Sequence, residues 1–143
     1  MEFSEVQEEE LPEVGEIAKN SFDDYSKDDF FNMSHDKNYK FVVSKIDGRI
    51  VGFVIFLRID EKVEIIKIAS HPILRRRGIA SGLMQYVQEY ATQNGHVGVI
   101  LEVNEKNVSA RKLYSKLGFS EIYTRKKYYH NTDDAIIMEW NIK

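Results

Sequence analysis

The feature that most limits the folds open to this chain is an apolar strand running into a basic, glycine-bearing turn and then into a long helix. Ile65-Ile-Lys-Ile-Ala-Ser70 reads as the strand, His71-Pro72 ends it, and Arg75-Arg76-Arg77-Gly78-Ile79-Ala80-Ser81 leads into the helix. Such a turn gathers consecutive backbone N–H groups at one point, beside the unsatisfied amides and positive dipole end of the helix that starts at Ile79. A phosphate is the natural ligand of that cradle. Gly78 and Ala80 contribute by being small, because a bulkier side chain would stand between backbone and anion or hold the helix off its sheet. The same residues also suit an ordinary helix start flanked by solvated arginines.

A strand and helix of this kind need a sheet to lie on, and the flanking segments supply one. Tyr39 to Ile46 and Arg49 to Leu57 alternate around Asp47-Gly48, the dipeptide of a type I′ hairpin turn. Val63 to Ala69 is the next strand, and the helix from Ile79 to Gln93 repeats apolar residues at Ile79, Leu83, Tyr86, Val87 and Tyr90 before Asn94-Gly95 caps it. Val97 to Val103, a helix from Val108 to Leu117, and strands from Phe119 to Lys127 and Ala135 to Trp140 complete the order. Upstream, Phe3 to Val6 reads as a short strand, Pro12 opens a helix carrying Val14, Ile17 and Ala18, and Ser26 caps a second helix around Tyr25 to Phe31. Antiparallel strands followed by strand-helix-strand-helix-strand predict an α+β fold, a mixed central sheet of about six or seven strands with helices on both faces.

With 143 residues, 43% of them hydrophobic, and no repeat or linker, the chain is expected to form one domain over 1–143. A net charge of −3 argues against a nucleic-acid partner, whose footprint would be a basic domain. The arginines and lysines around Arg75 and Arg111 nonetheless suit a small polyphosphate, while Glu2 to Glu16 load the N-terminal end with acid. Having no cysteine, the chain excludes disulfides, cysteine zinc sites and a thiol nucleophile. No apolar run reaches membrane length, and a cytoplasmic protein without membrane contact is expected. His35, His71, His96 and His130 are scattered without ligand spacing, so no metal is predicted.

Three residues stand out chemically. Glu102 lies on a strand that is apolar on both sides, where a carboxylate needs a partner or a purpose. Tyr114 shares a helical stripe with Ala110, Leu113 and Leu117, which by itself fits a core tyrosine. Asn107 begins that helix and reads as its N-cap.

The Arg75-x-x-Gly78-x-Ala80 turn, together with Asn107-Val-Ser-Ala-Arg-Lys-Leu-Tyr114-Ser-Lys-Leu-Gly118-Phe119 and its preceding strand, resembles the acetyl-CoA site of the GCN5-related N-acetyltransferase (GNAT) family in order and spacing. Arg125-Lys-Lys-Tyr128-Tyr129 and Asp134-Ala-Ile-Ile-Met138 extend the likeness to protein N-terminal acetyltransferases, and among them to the RimI type that acetylates ribosomal-protein alanine. The resemblance implies that acetyl-CoA is held by the turn from Arg75 to Ser81, by the edge of Ile68, Ala69 and Ser70 splayed from its neighbour, and by Asn107 on the pantetheine arm. It implies Glu102 as general base, acting directly or through water, and Tyr114 as the acid that serves the departing CoA sulfur. Tyr128 and Tyr129 would hold the peptide backbone, and Tyr25 would stand on the acceptor wall. Phe22-Asp-Asp-Tyr-Ser26 departs here from the Phe-Pro-Trp-Ser segment usual in RimI enzymes. The implied acceptor is a peptide or protein N-terminus, a ribosomal protein among the candidates. The alternatives are a small amine (polyamine, amino acid or antibiotic) and a non-catalytic acyl-CoA-binding module.

Overall fold

The computed structural model describes residues 1–74, 77–129 and 132–142, the side chain of Tyr129 excepted. Seven strands form one sheet: β1 (Glu2–Glu5), β2 (Tyr39–Ile46), β3 (Arg49–Ile59), β4 (Lys62–Ser70), β5 (Gly98–Asn104), β6 (Ser120–Tyr129) and β7 (Asp133–Asn141), in the spatial order β1-β2-β3-β4-β5-β7-β6. Among the described residues only β4 and β5 pair in parallel. Four helices, α1 (Leu11–Ser21), α2 (Lys27–His35), α3 (Ile79–Gln93) and α4 (Val108–Lys116), complete the mixed α+β architecture.

Local chemistry sets most element ends. Asp47 at φ 51° and Gly48 at φ 78° make the left-handed pair that a type I′ turn requires, so β2 folds back on β3 with matched twist. Ser26 accepts a hydrogen bond from the Asp29 N–H at 3.2 Å, which starts α2 at Lys27 and carries it to His35, four residues beyond the expected end. Pro12 occupies the first turn of α1, where its missing N–H is no loss. Two short 3₁₀ turns, Glu8–Glu10 and Pro72–Leu74, were not evident in the sequence pattern.

The two faces of the sheet bury separate cores. On one, Ile79, Leu83, Met84 and Val87 of α3, with Tyr114 of α4, pack over Val63, Ile65, Val99, Leu101 and Val103. On the other, Val14, Ile17 and Ala18 of α1 and Phe30 of α2 cover Phe41, Val43, Phe53, Ile55 and Ala69. Residue alternation along β5 therefore sends Leu101 and Val103 to the α3–α4 face and Glu102 to the α1–α2 face.

Candidate functional site

β4 and β5 part in mid-sheet. They are paired only from Lys62 with Gly98 to Ile65 with Leu101, although β4 continues to Ser70 and β5 to Asn104. Beyond that point the edge of β4 from Ile66 to Ser70 and the edge of β5 from Glu102 to Asn104 face a gap. Their outer edges remain held by β3 and β7. The parting coincides with a bulge: Ile55 pairs with Lys67 and Phe56 with Ile65, so Ile66 is the extra residue on β4. Backbone polar groups along such an edge need partners, and an extended, amide-bearing ligand arm supplies them in the manner of an added strand. Ile68, Ala69 and Ser70 lie on this edge.

At the far end of β4 the chain turns into α3. Gly78 caps α3 in the left-handed region at φ 80°, and among the described residues nothing lies within 4 Å of a Cβ built there. The glycine thus serves the backbone conformation, and the first α3 amides that follow it suit an anion. Ile79 is 2% exposed and anchors the turn, whereas Arg77 is exposed. Ala80 and Ser81 follow within the first turn of α3. Arg75 and Arg76 fall outside the described residues. Asn107 caps α4, its Oδ1 accepting the Ala110 N–H at 3.3 Å.

Titratable groups divide between the two faces of the gap. Tyr114, 7% exposed, belongs to the same core cluster as Ile65, Leu101 and Val103, the residues at the parting point. Burial pushes its hydroxyl up to about 12. On the opposite face, Glu102 forms an ion pair with Arg125 of β6, Oε1 to Nη1 2.8 Å. Glu64 of β4 stands opposite Ile100, two residues from Glu102 on that face. Burial, and then the Glu102 charge, raise the Glu64 carboxyl above its ordinary value, with Arg125 pulling the other way. The sequence reading missed both Glu64 and Arg125. Glu64 sits between the buried Val63 and Ile65 of β4, a signal similar in kind to that of Glu102 between Leu101 and Val103.

The rim is formed by the α1–α2 connection and the β6–β7 hairpin. Tyr25 is turned inward, its ring edge-on to Phe30 at 4.9 Å, with its hydroxyl against Gly15. Lys67 stands 4.5 Å from the centre of the Phe22 ring and 3.6 Å from Asp24. Tyr128 is exposed, and the Arg125 guanidinium lies 5.5 Å from the centre of its ring. Tyr129 pairs with Asp133. The hairpin is tied down by its acids: Asp134 accepts the N–H of Lys127, itself at φ 51°, at 2.7 Å, and Asp133 meets Lys106 at 2.8 Å and Asn104 at 3.1 Å. These bonds hold both carboxyls below their ordinary values. Among the described residues no group of three or more His, Asp or Glu side chains is placed to hold a metal ion, and no helix is long and apolar enough to cross a membrane.

Comparison with known proteins agrees with this geometry. Residues 3–119 match the acetyltransferase (GNAT) family. Over 95 residues the chain is 33% identical to the [ribosomal protein bS18]-alanine N-acetyltransferase of Escherichia coli K12, an alignment covering 64% of each chain and so less than two thirds of that enzyme. Over 124 residues it is 31% identical to the N-alpha-acetyltransferase of Sulfurisphaera tokodaii, covering 76% of this chain and 74% of that one. The crystal structure of the ribosomal-protein-S18-alanine N-acetyltransferase from Escherichia coli superposes with a TM-score of 0.90 and 26% identity, covering 99% of this chain and 94% of that one.

Proposed function

The chain belongs to the acetyltransferase (GNAT) family, and from that premise we propose that residues 1–143 act as one catalytic domain. It moves the acetyl group of acetyl-CoA to the α-amine at the N-terminus of a protein or peptide, within a single ternary complex in the cytoplasm. The observation that carries this reading is the parting of β4 from β5, with Tyr114 packed on one face and Glu64 and Glu102 on the other. An acyl donor lying in the gap is reached from opposite sides by the two kinds of group that transfer to an amine requires.

Acetyl-CoA supplies the activated acyl group, and the protein supplies placement and proton management. The first α3 amides and the conformation of Gly78 suit its pyrophosphate. The open edge from Ile66 to Ser70 offers hydrogen bonds to the pantetheine arm and N–H groups near the carbonyl. Glu102, with Glu64 beside it, receives the proton of the amine. Tyr114 faces a different demand. Its hydroxyl at about 12 is a weaker acid than a thiol at about 8.5, so outright transfer to a thiolate runs uphill. It acts first as a hydrogen-bond donor that eases charge onto the departing sulfur.

An α-amine suits such a site. At pH 7.5 about a third of α-amines, with pKa about 7.8, are neutral, against roughly one in a thousand lysines at about 10.4. Carboxylates suffice as bases for the former. The activities for which the bacterial and archaeal relatives are named support the same class of acceptor, a ribosomal protein being one instance. Charge also favours a cationic polypeptide. Residues 1–36, which include both helices of the α1–α2 layer, carry 12 acidic and 2 basic side chains, against 11 and 18 in the remainder.

The test is CoA release with the full chain and four acceptors: a peptide beginning with free alanine, the same peptide acetyl-blocked, a blocked lysine peptide, and spermidine. Release with the first alone is expected. Turnover of spermidine with none on any free peptide N-terminus would move the enzyme to the small-amine class.

A further inference from the structure

Arg125 is the cation paired with Glu102 on the acceptor face, and nothing in the family reading gives it a role. It projects from β6, where it pairs with Ala135, and crosses β7 to reach Glu102 on β5 at 2.8 Å. The register of β6 against β7 shifts on either side of it, between Glu121 and Tyr123 and between Arg125 and Tyr129. The guanidinium therefore leaves the last regular stretch before the irregular hairpin end. Its side chain is 48% exposed, that of Glu102 28%. On its other side lies the Tyr128 ring, 5.5 Å from centre to Cζ. Among the described residues, the charged and titratable groups that share this face include Lys62 and Glu64 from β4, Glu102 from β5, Glu139 from β7, which pairs with Lys62, and Tyr123, Arg125 and Tyr128 from β6, with the Lys67–Asp24 pair farther along β4.

We propose that Arg125 is a positioning residue for the acceptor: it holds the Glu102 carboxylate beside the gap, stands where an ammonium would otherwise settle, and yields the carboxylate to the incoming amine. The inference rests on the assignment of Glu102 to the acceptor site. Its physical ground is charge balance. Two carboxylates without a cation would grip an ammonium as an ion pair and keep it protonated, and a protonated amine cannot attack. A resident guanidinium halves the net negative charge, so the site binds the cationic form less tightly and favours the neutral nucleophile.

The experiment compares Arg125→Met, Arg125→Lys and Glu102→Gln in the full chain, using the free alanine peptide and acetyl-CoA. Melting temperature and acetyl-CoA affinity serve as controls for folding, which a half-exposed residue leaves intact. For Arg125→Met the peptide KM is expected to fall by about two- to fivefold, the range of an exposed ion pair. Its kcat at neutral pH falls too, and the acid limb of kcat against pH moves to higher pH, because the bound amine keeps its proton longer. Arg125→Lys, which retains the cation, brings the limb back. A merely structural arginine would lower kcat at every pH and raise KM, with the limb in place. That result, or an Arg125→Met enzyme with wild-type KM and limb, overturns the proposal while leaving Glu102 assigned if Glu102→Gln is inactive. Wild-type turnover in Glu102→Gln overturns the assignment and the proposal together.

Discussion

Burial favours the neutral form of both Glu64 and Tyr114, with opposite consequences for their proposed roles. Removing Glu64 from water disfavours the anion it must become at neutral pH, so its folded carboxyl titrates above the unfolded one. Below the unfolded value both states are protonated and nothing is lost, whereas above the folded value the folded state bears the full penalty. Glu64→Gln is therefore expected to melt at the same or a higher temperature than wild type at pH 7, with the difference gone near pH 4, while turnover falls. A lower melting temperature at pH 7 would show that the carboxylate is held by partners rather than strained. Burial of Tyr114 favours the neutral form that a donor needs, and its hydroxyl stays protonated throughout the working range. Tyr114→Phe should keep the melting temperature close to wild type and lower kcat by about a hundredfold or more, measured as CoA release at saturating substrates. Unchanged kcat would return Tyr114 to a packing role.

At the scale of elements, the site depends on how closely α3 sits on the sheet. Gly52 of β3 makes that possible: a Cβ there would lie 2.9 Å from the Ala69 carbonyl oxygen, 2.9 Å from Ile79 Cγ2 and 3.0 Å from Leu83 Cδ1. The Ala69 carbonyl belongs to the β4 backbone and cannot give way cheaply, while the contacts with Ile79 and Leu83 press on α3. Gly52→Ala is expected to destabilise by about 1–3 kcal/mol and to weaken acetyl-CoA binding, since the first α3 turn moves with Ile79. Gly78→Ala tests a different cause. No described atom blocks its Cβ, but φ 80° strains any L residue, at about 1–2 kcal/mol. Calorimetry of acetyl-CoA binding and thermal melting on both variants separates the two. Undiminished affinity in both, with both folded, would place the pyrophosphate elsewhere.

Charge separation belongs to the molecule as a whole. The acidic α1–α2 layer covers the sheet face that bears Glu64 and Glu102, while basic residues predominate in the remainder. Fields of this kind act over about 8 Å at physiological salt and fade as salt rises. The KM of a peptide with a basic stretch after its free alanine should accordingly rise with added salt, and that of an acidic counterpart should stay level or fall. Identical responses of the two peptides would remove the acidic layer from acceptor recognition.

Much was legible in the order of residues because it depends on near neighbours. Asp47-Gly48 imposes its turn through two left-handed residues. Ser26 and Asn107 cap helices through N–H groups three residues ahead. The apolar stripe of α3 marks Ile79 to Gln93 because its period is that of the helix. Alternation along β5 separates Glu102 from Leu101 and Val103 by pleat alone. Other features were decided by tertiary pairing: β7 lies between β5 and β6, Ile66 is squeezed out against β3, β4 and β5 part after Ile65 and Leu101, and Arg125 reaches Glu102 across β7. Each depends on which edge lies beside which, a matter of register between distant segments. A local pattern constrains which face a side chain occupies, and only the assembled sheet determines what it meets there.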